Sequence, residues 1–167
     1  MVNLNGRGRN YIFLVFLSVS LIAIIIARLV AVGQDGQRYA EYQKFVYAKK
    51  LTAENKGTEA EPIFAELLKK YPNSSDLLWY NGTCLARNGK FEKGLEYMDL
   101  ARKAYPDYVT IPSYLVGYGQ ILYEMGEFDR AEYYFKECLK YKDEDKGGHT
   151  KVAEQYLEMI SLKKTHN

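Results

Sequence analysis

Small residues and Tyr-Pro pairs recur along the second half of this chain at a near-constant interval, and that recurrence restricts the fold more than any single motif. Tyr71-Pro72 and Tyr105-Pro106 are 34 residues apart, as are Ala60 and Gly94. Gly82 and Gly119, Gly89 and Gly126, and Gly94 and Ala131 are each 37 apart. The third unit is therefore displaced by three residues, which fall in the connection Asp107-Tyr108-Val109-Thr110-Ile111-Pro112. A period of this size belongs to stacked repeats, each too small to bury its own apolar face. Within a unit the apolar positions keep helical spacing on both sides of a turn: Leu78 and Leu85, then Asn88-Gly89-Lys90, then Phe91, Leu95, Met98, Leu100 and Ala101. Each unit reads as an antiparallel helical hairpin. Ala48, Gly82 and Gly119 in first helices, with Ala60, Gly94 and Ala131 in second helices, mark where two backbones come too close for larger side chains.

The segments LWYNGTCLARNGKFEKGLEYMDLARKAYP and YLVGYGQILYEMGEFDRAEYYFKECLKY resemble tetratricopeptide repeats. Gly82, Gly89, Phe91, Gly94, Ala101 and Pro106 match the family pattern, as do Leu115, Gly119, Gly126, Phe128, Ala131 and Phe135. A fainter first unit keeps Ala60, Phe64 and Pro72 but has Asn55-Lys56-Gly57 where the family places a Gly-x-aromatic turn. Gly147-Gly148 then breaks the chain, and Val152, Ala153, Tyr156, Leu157 and Ile160 give one more amphipathic face, with Lys163 and Lys164 suited to a helix C-terminus. The resemblance implies an all-α fold, a right-handed α-solenoid of about three hairpins within residues 38–167. Its units fall near 41–74, 75–108 and 112–145, with a capping helix over 149–164.

The resemblance also implies a concave surface lined by the first helices of the hairpins. By family position the inward-facing residues are Phe45 and Lys49, then Trp79, Thr83 and Arg87, then Val116, Gln120 and Tyr123. These are the candidate binding residues for a protein or peptide partner. Trp79, Arg87 and Tyr123 carry the side-chain types that dominate binding hot spots. The family's clamp of Lys and Asn residues for a terminal carboxylate is not reproduced, because Phe45, Trp79 and Val116 stand where such a Lys would begin it.

Residues 11–32 read YIFLVFLSVSLIAIIIARLVAV, with Arg28 as the sole charge. As a helix this stretch is roughly 33 Å long, enough to cross a hydrocarbon core of roughly 30 Å. It is expected to be a transmembrane anchor between a short tail (1–10) and a linker (33–37). A cleaved signal peptide is the alternative, since Ala31-Val32-Gly33 is a passable cleavage site, but the apolar run exceeds a usual signal core. The tail carries Arg7 and Arg9 and no acid, so a cytoplasmic tail is expected, with the repeats outside the cytoplasm at the plasma membrane.

All 21 acidic residues and 20 of the 23 basic ones follow Gly33, a net charge of −1. Nucleic-acid binding is not expected of so neutral a domain. No catalytic or metal constellation is expected either, and no cofactor. His149 and His166 lie at the end of the chain without metal-ligand spacing, and Cys84 and Cys138 occupy different hairpin positions, which reads as two independent buried thiols. Glu92 and Glu96, and the run Asp143-Glu144-Asp145, read as solvated carboxylates. Asn73-Ser74-Ser75 and Asn81-Gly82-Thr83 match a glycosylation sequon, the second pressed against Gly82. The expected function is a membrane-tethered scaffold that binds a protein segment and assists assembly or export of envelope proteins. A homo-oligomerisation module and a regulatory subunit of a membrane complex are the alternatives.

Overall fold

The computed structural model describes residues 6–165, with side chains from residue 10 onward. Residues 1–5 of the basic tail, the Arg7 and Arg9 side chains, and His166 lie outside the described residues. The chain forms two units, residues 1–43 and 44–167. The described part of the first unit, residues 6–43, lies within helix α1 (Gly6–Ala53), and every residue from 10 to 40 is exposed. By length and composition this helix could cross a membrane.

In the second unit the end of α1 pairs in sequence with α2 (Gly57–Lys70). It is followed by α3 (Ser75–Arg87), α4 (Phe91–Ala104), α5 (Pro112–Glu124), α6 (Phe128–Leu139) and α7 (His149–Thr165). The helices α3 and α4, and α5 and α6, pack as hairpins, and α7 lies against both α5 and α6. All regular structure among the described residues is helical.

The hairpin turns explain where the helices stop. Gly89 and Gly126 take the left-handed region at φ 77° and 80°, and Lys90 and Glu127 then donate their amides to Leu85 O and Leu122 O, each at 2.9 Å. This six-residue closure satisfies a carbonyl that the helix end leaves open. The first hairpin lacks the glycine yet closes identically: Asn55 adopts φ 60°, and the Lys56 amide reaches Leu51 O at 2.9 Å. Asn is one of the few side chains that tolerates this region. The three extra residues of the last interval lie in a short 3-10 turn, Pro106–Thr110, ahead of Pro112 at the start of α5.

Two apolar clusters form the core. Ala48, Leu51, Ala60, Phe64, Leu67, Leu77 and Cys84 hold the first hairpin against α3, and Met98, Tyr114, Leu115, Leu122 and Phe135 centre the second. Leu68 packs against both. The hairpin glycines allow this closeness: a Cβ at Gly82 would sit 2.7 Å from Gly94 O and 2.8 Å from Met98 Cγ. Cys84 and Cys138 are free and buried. Burial pushes the Cys138 thiol up to about 11, so it stays protonated.

Candidate partner-binding groove

The first-helix residues singled out from sequence separate into three places. Thr83 and Arg87 of α3, Gln120 and Glu124 of α5 and Tyr156 of α7 line a recess of about 380 Å³. Gly117 forms part of the wall, and the space above it is open: a Cβ there would meet only Met98 Cε, at 3.8 Å. Thr83 turns its hydroxyl back on its own helix, donating to Trp79 O at 3.1 Å. One Arg87 guanidinium nitrogen donates to Thr52 O at 3.0 Å and to Asn55 Oδ1 at 3.2 Å, which holds the cation at the edge of the recess. Burial raises the Tyr156 phenol above its ordinary value, and the nearby Glu124 carboxylate adds to the rise. The hydroxyl therefore remains protonated and able to donate.

Phe45, Lys49 and Trp79 gather elsewhere, on an aromatic shelf around Tyr80. The Lys49 ammonium stands 4.0 Å from the Tyr80 ring centre, and Phe45 meets that ring edge-on at 5.5 Å. Trp79 stacks on Tyr80 at 5.0 Å and packs edge-on against Tyr108 and Tyr114 at 5.0 and 5.8 Å. Half-buried in this way, Trp79 joins the shelf to the core. Behind it Tyr114 donates to Met98 O at 2.9 Å, and Tyr108 donates to Asp76 Oδ1 at 2.6 Å.

Two candidates belong in neither place. Val116 is 4% exposed and packs in the core, so it backs the concave surface without facing a partner. Tyr123 packs edge-on against Phe128 and Tyr156, at 5.4 and 5.0 Å, under the Lys163 ammonium at 4.9 Å. It fastens α7 and does not line the recess. Conversely, sequence reasoning missed Gly117, Glu124 and Tyr156. Glu124 lies one helical turn beyond Gln120 and could have been found by spacing. Tyr156 lies on α7, where it reads as packing, and no repeat period brings it to the α3–α5 surface.

The run Asp143-Glu144-Asp145 also divides. Asp143 and Glu144 are exposed, whereas the Asp145 side chain is 2% exposed. It accepts from the Thr150 amide at 2.7 Å, the Thr150 hydroxyl at 3.0 Å, the Gly147 amide at 3.1 Å and the His149 ring at 2.9 Å. Reading it as solvated is thus corrected: it serves the open N-terminus of α7. Among the described residues no group of three or more His, Cys, Asp or Glu side chains could hold a metal ion. Asn81 of the second sequon is buried, with 4% of the residue exposed.

Residues 73–144 match the family model for the tetratricopeptide repeat. That matched segment is a tetratricopeptide-repeat region. The chain superposes on the Yersinia enterocolitica type III secretion translocator chaperone SycD with a TM-score of 0.63 and 17% identity, over 74% of this chain and 85% of that one. A type III secretion complex from Aeromonas hydrophila matches with a TM-score of 0.63 and 18% identity, over 77% and 85% of the two chains. The tetratricopeptide domain of Sgt2 from Aspergillus fumigatus matches with a TM-score of 0.59 and 16% identity, over 74% and 78%. At these identities the likeness is one of fold. A comparison with curated proteins finds no match.

Proposed function

We propose that this tetratricopeptide-repeat protein is a single-pass, membrane-tethered adaptor without catalytic activity, which holds a segment of a partner protein in the recess between α3, α5 and α7. The observation that carries the reading is the recess itself, where Thr83, Arg87 and Gln120 meet Glu124 and Tyr156 around an open space. The mixture of a cation, a carboxylate, an amide and a phenol over an apolar base of Ala86 and Ile121 suits a polar segment with one inserted side chain. The apolar helix 11–32 anchors the chain, the tail is cytoplasmic, and the repeats stand outside the cytoplasm. Tethering raises the local concentration of the groove around membrane or envelope partners, which suits assistance to their assembly or export.

Gly117→Leu tests the groove, because the new side chain fills the recess while the backbone around it has room. A photoreactive residue at Gln120 should crosslink a partner in cells, and Gly117→Leu should abolish that product while the melting temperature holds or rises. Crosslinking that persists through Gly117→Leu would rule the recess out. Alkaline carbonate should leave the chain in the membrane fraction, and release of the intact chain would remove the anchor. Protease added to spheroplasts should digest the repeats; protection would reverse the orientation.

A further inference from the structure

Glu124 is the last residue of α5, exposed, and part of the lining of the concave recess. A helix C-terminus carries partial negative charge from its open carbonyls, so a cation is favoured there and an anion disfavoured. Every other α-helix among the described residues follows that rule, with a lysine or arginine in its last turn. The last turn of α5 has none. Glu137, near the end of α6, is neutralised by Lys140 at 2.6 Å. Among the described residues Glu124 forms no salt bridge and no hydrogen bond. The same place one repeat earlier, 37 residues back, holds Arg87, the kind of residue a helix end favours, and its guanidinium is engaged by Thr52 O and Asn55 Oδ1. A carboxylate set against its own helix and left unpaired beside an open recess does nothing for the fold, and it points to a cation brought from outside.

Resting on the groove reading above, we propose that Glu124 receives a basic side chain, lysine or arginine, from the partner segment that lies in the recess. The ammonium or guanidinium pairs with the carboxylate in a charge-assisted hydrogen bond. Ala86 and Ile121, with the aromatic residues Phe91 and Tyr156, line the same recess and give the methylene stem an apolar bed. An acidic side chain in its place would meet Glu124 and the negative end of α5 together. Arg87 sets the direction of the segment: it repels a second cation over α3, so the base seats over α5.

The full chain in detergent micelles, labelled with nitrogen-15, is titrated separately with N-acetylarginine methylamide, its uncharged isostere N-acetylcitrulline methylamide, and N-acetylglutamate methylamide. The backbone amide resonances of Gly117 and Glu124 are expected to shift saturably with the arginine probe alone, and less as salt is raised. Glu124→Gln should abolish that response and melt at the parent's temperature or higher, because it removes an anion from a helix C-terminus. Gly117→Leu should abolish the response by filling the recess. Equal shifts from the citrulline probe would assign the recess to neutral contacts, and larger shifts from the glutamate probe would make Arg87 the anchor; either overturns the proposal. No saturable shift, a response that survives Glu124→Gln or Gly117→Leu, or a lower melting temperature for Glu124→Gln would overturn it too, the last by making the carboxylate a structural group. A Gln120 crosslink that Gly117→Leu abolishes, alongside no response to the arginine probe, leaves the groove standing and removes this assignment alone.

Discussion

Two glycines on one helix separate what packing requires from what binding requires. Gly119 lies where α5 meets α6, and a Cβ there would stand 2.8 Å from the Phe135 ring. Gly117, half-buried one residue pair earlier, has open space where its side chain would be. Gly119→Ala should therefore destabilise the fold, since overpacking costs about 1–3 kcal/mol against the roughly 1 kcal/mol that alanine gains over glycine in a helix. Gly117→Ala should keep that gain and stabilise by about 0.5–1 kcal/mol. Thermal unfolding of the two variants checks the contrast, and midpoints shifted in the same direction would refute it. The spacing of Gly82 and Gly119 already announced the tight contacts. Gly117 carries no such signal, because an opening kept clear does not repeat with the fold. Val116 shows the converse: family position placed it inward, but whether an inward residue reaches the surface depends on how far the neighbouring helix covers it.

At the scale of elements, helices were legible and their ends less so. Apolar spacing marked both halves of each hairpin, because each half must bury one stripe. The Asn55 turn escapes a pattern search for glycine, yet it needs only one residue able to adopt φ 60°. The start of α7 was legible from Gly147-Gly148, but its acceptor was not, because the first turn carries no acid and the carboxylate that serves it comes from Asp145, four residues before His149. Burial works to raise the Asp145 pKa, but the Thr150 amide and hydroxyl, the His149 ring and the Gly147 amide outweigh it and hold the carboxyl well below its usual range. A carboxyl with a depressed folded-state pKa contributes stability above its unfolded value, about 3.9, and loses that contribution as pH falls toward the folded value. Asp145→Ala should cost about 0.5–2 kcal/mol at neutral pH, the range for losing a helix N-terminal acceptor. The difference from the parent should stay constant above about pH 5 and shrink below about pH 4. Melting temperatures across that range decide it, and a gap that widens on acidification would contradict the assignment.

For the molecule as a whole, α7 both closes the repeat stack and completes the groove, and Tyr156 is where the two roles meet. Its ring stacks on Phe135 at 5.0 Å and 19°, and meets Tyr123 edge-on at 5.0 Å, while the residue also lines the recess with Gln120 and Glu124. A terminal repeat leaves an apolar face that some further element must cover, and Ala153, Tyr156 and Ile160 cover it here. The sequence made that capping role readable, since the apolar stripe of α7 needs a neighbour. It did not make the binding role readable, since the stripe names no particular edge of that neighbour. The roles separate by substitution. Tyr156→Ala removes the stacked ring and should destabilise by about 2–4 kcal/mol, somewhat under the cost of truncating a fully buried aromatic. Tyr156→Phe keeps the ring and removes only the hydroxyl, so its melting temperature should stay close to the parent's while crosslinking from Gln120 falls severalfold. Full crosslinking in Tyr156→Phe would confine Tyr156 to the cap and leave Thr83, Arg87, Gln120 and Glu124 to recognise the partner alone.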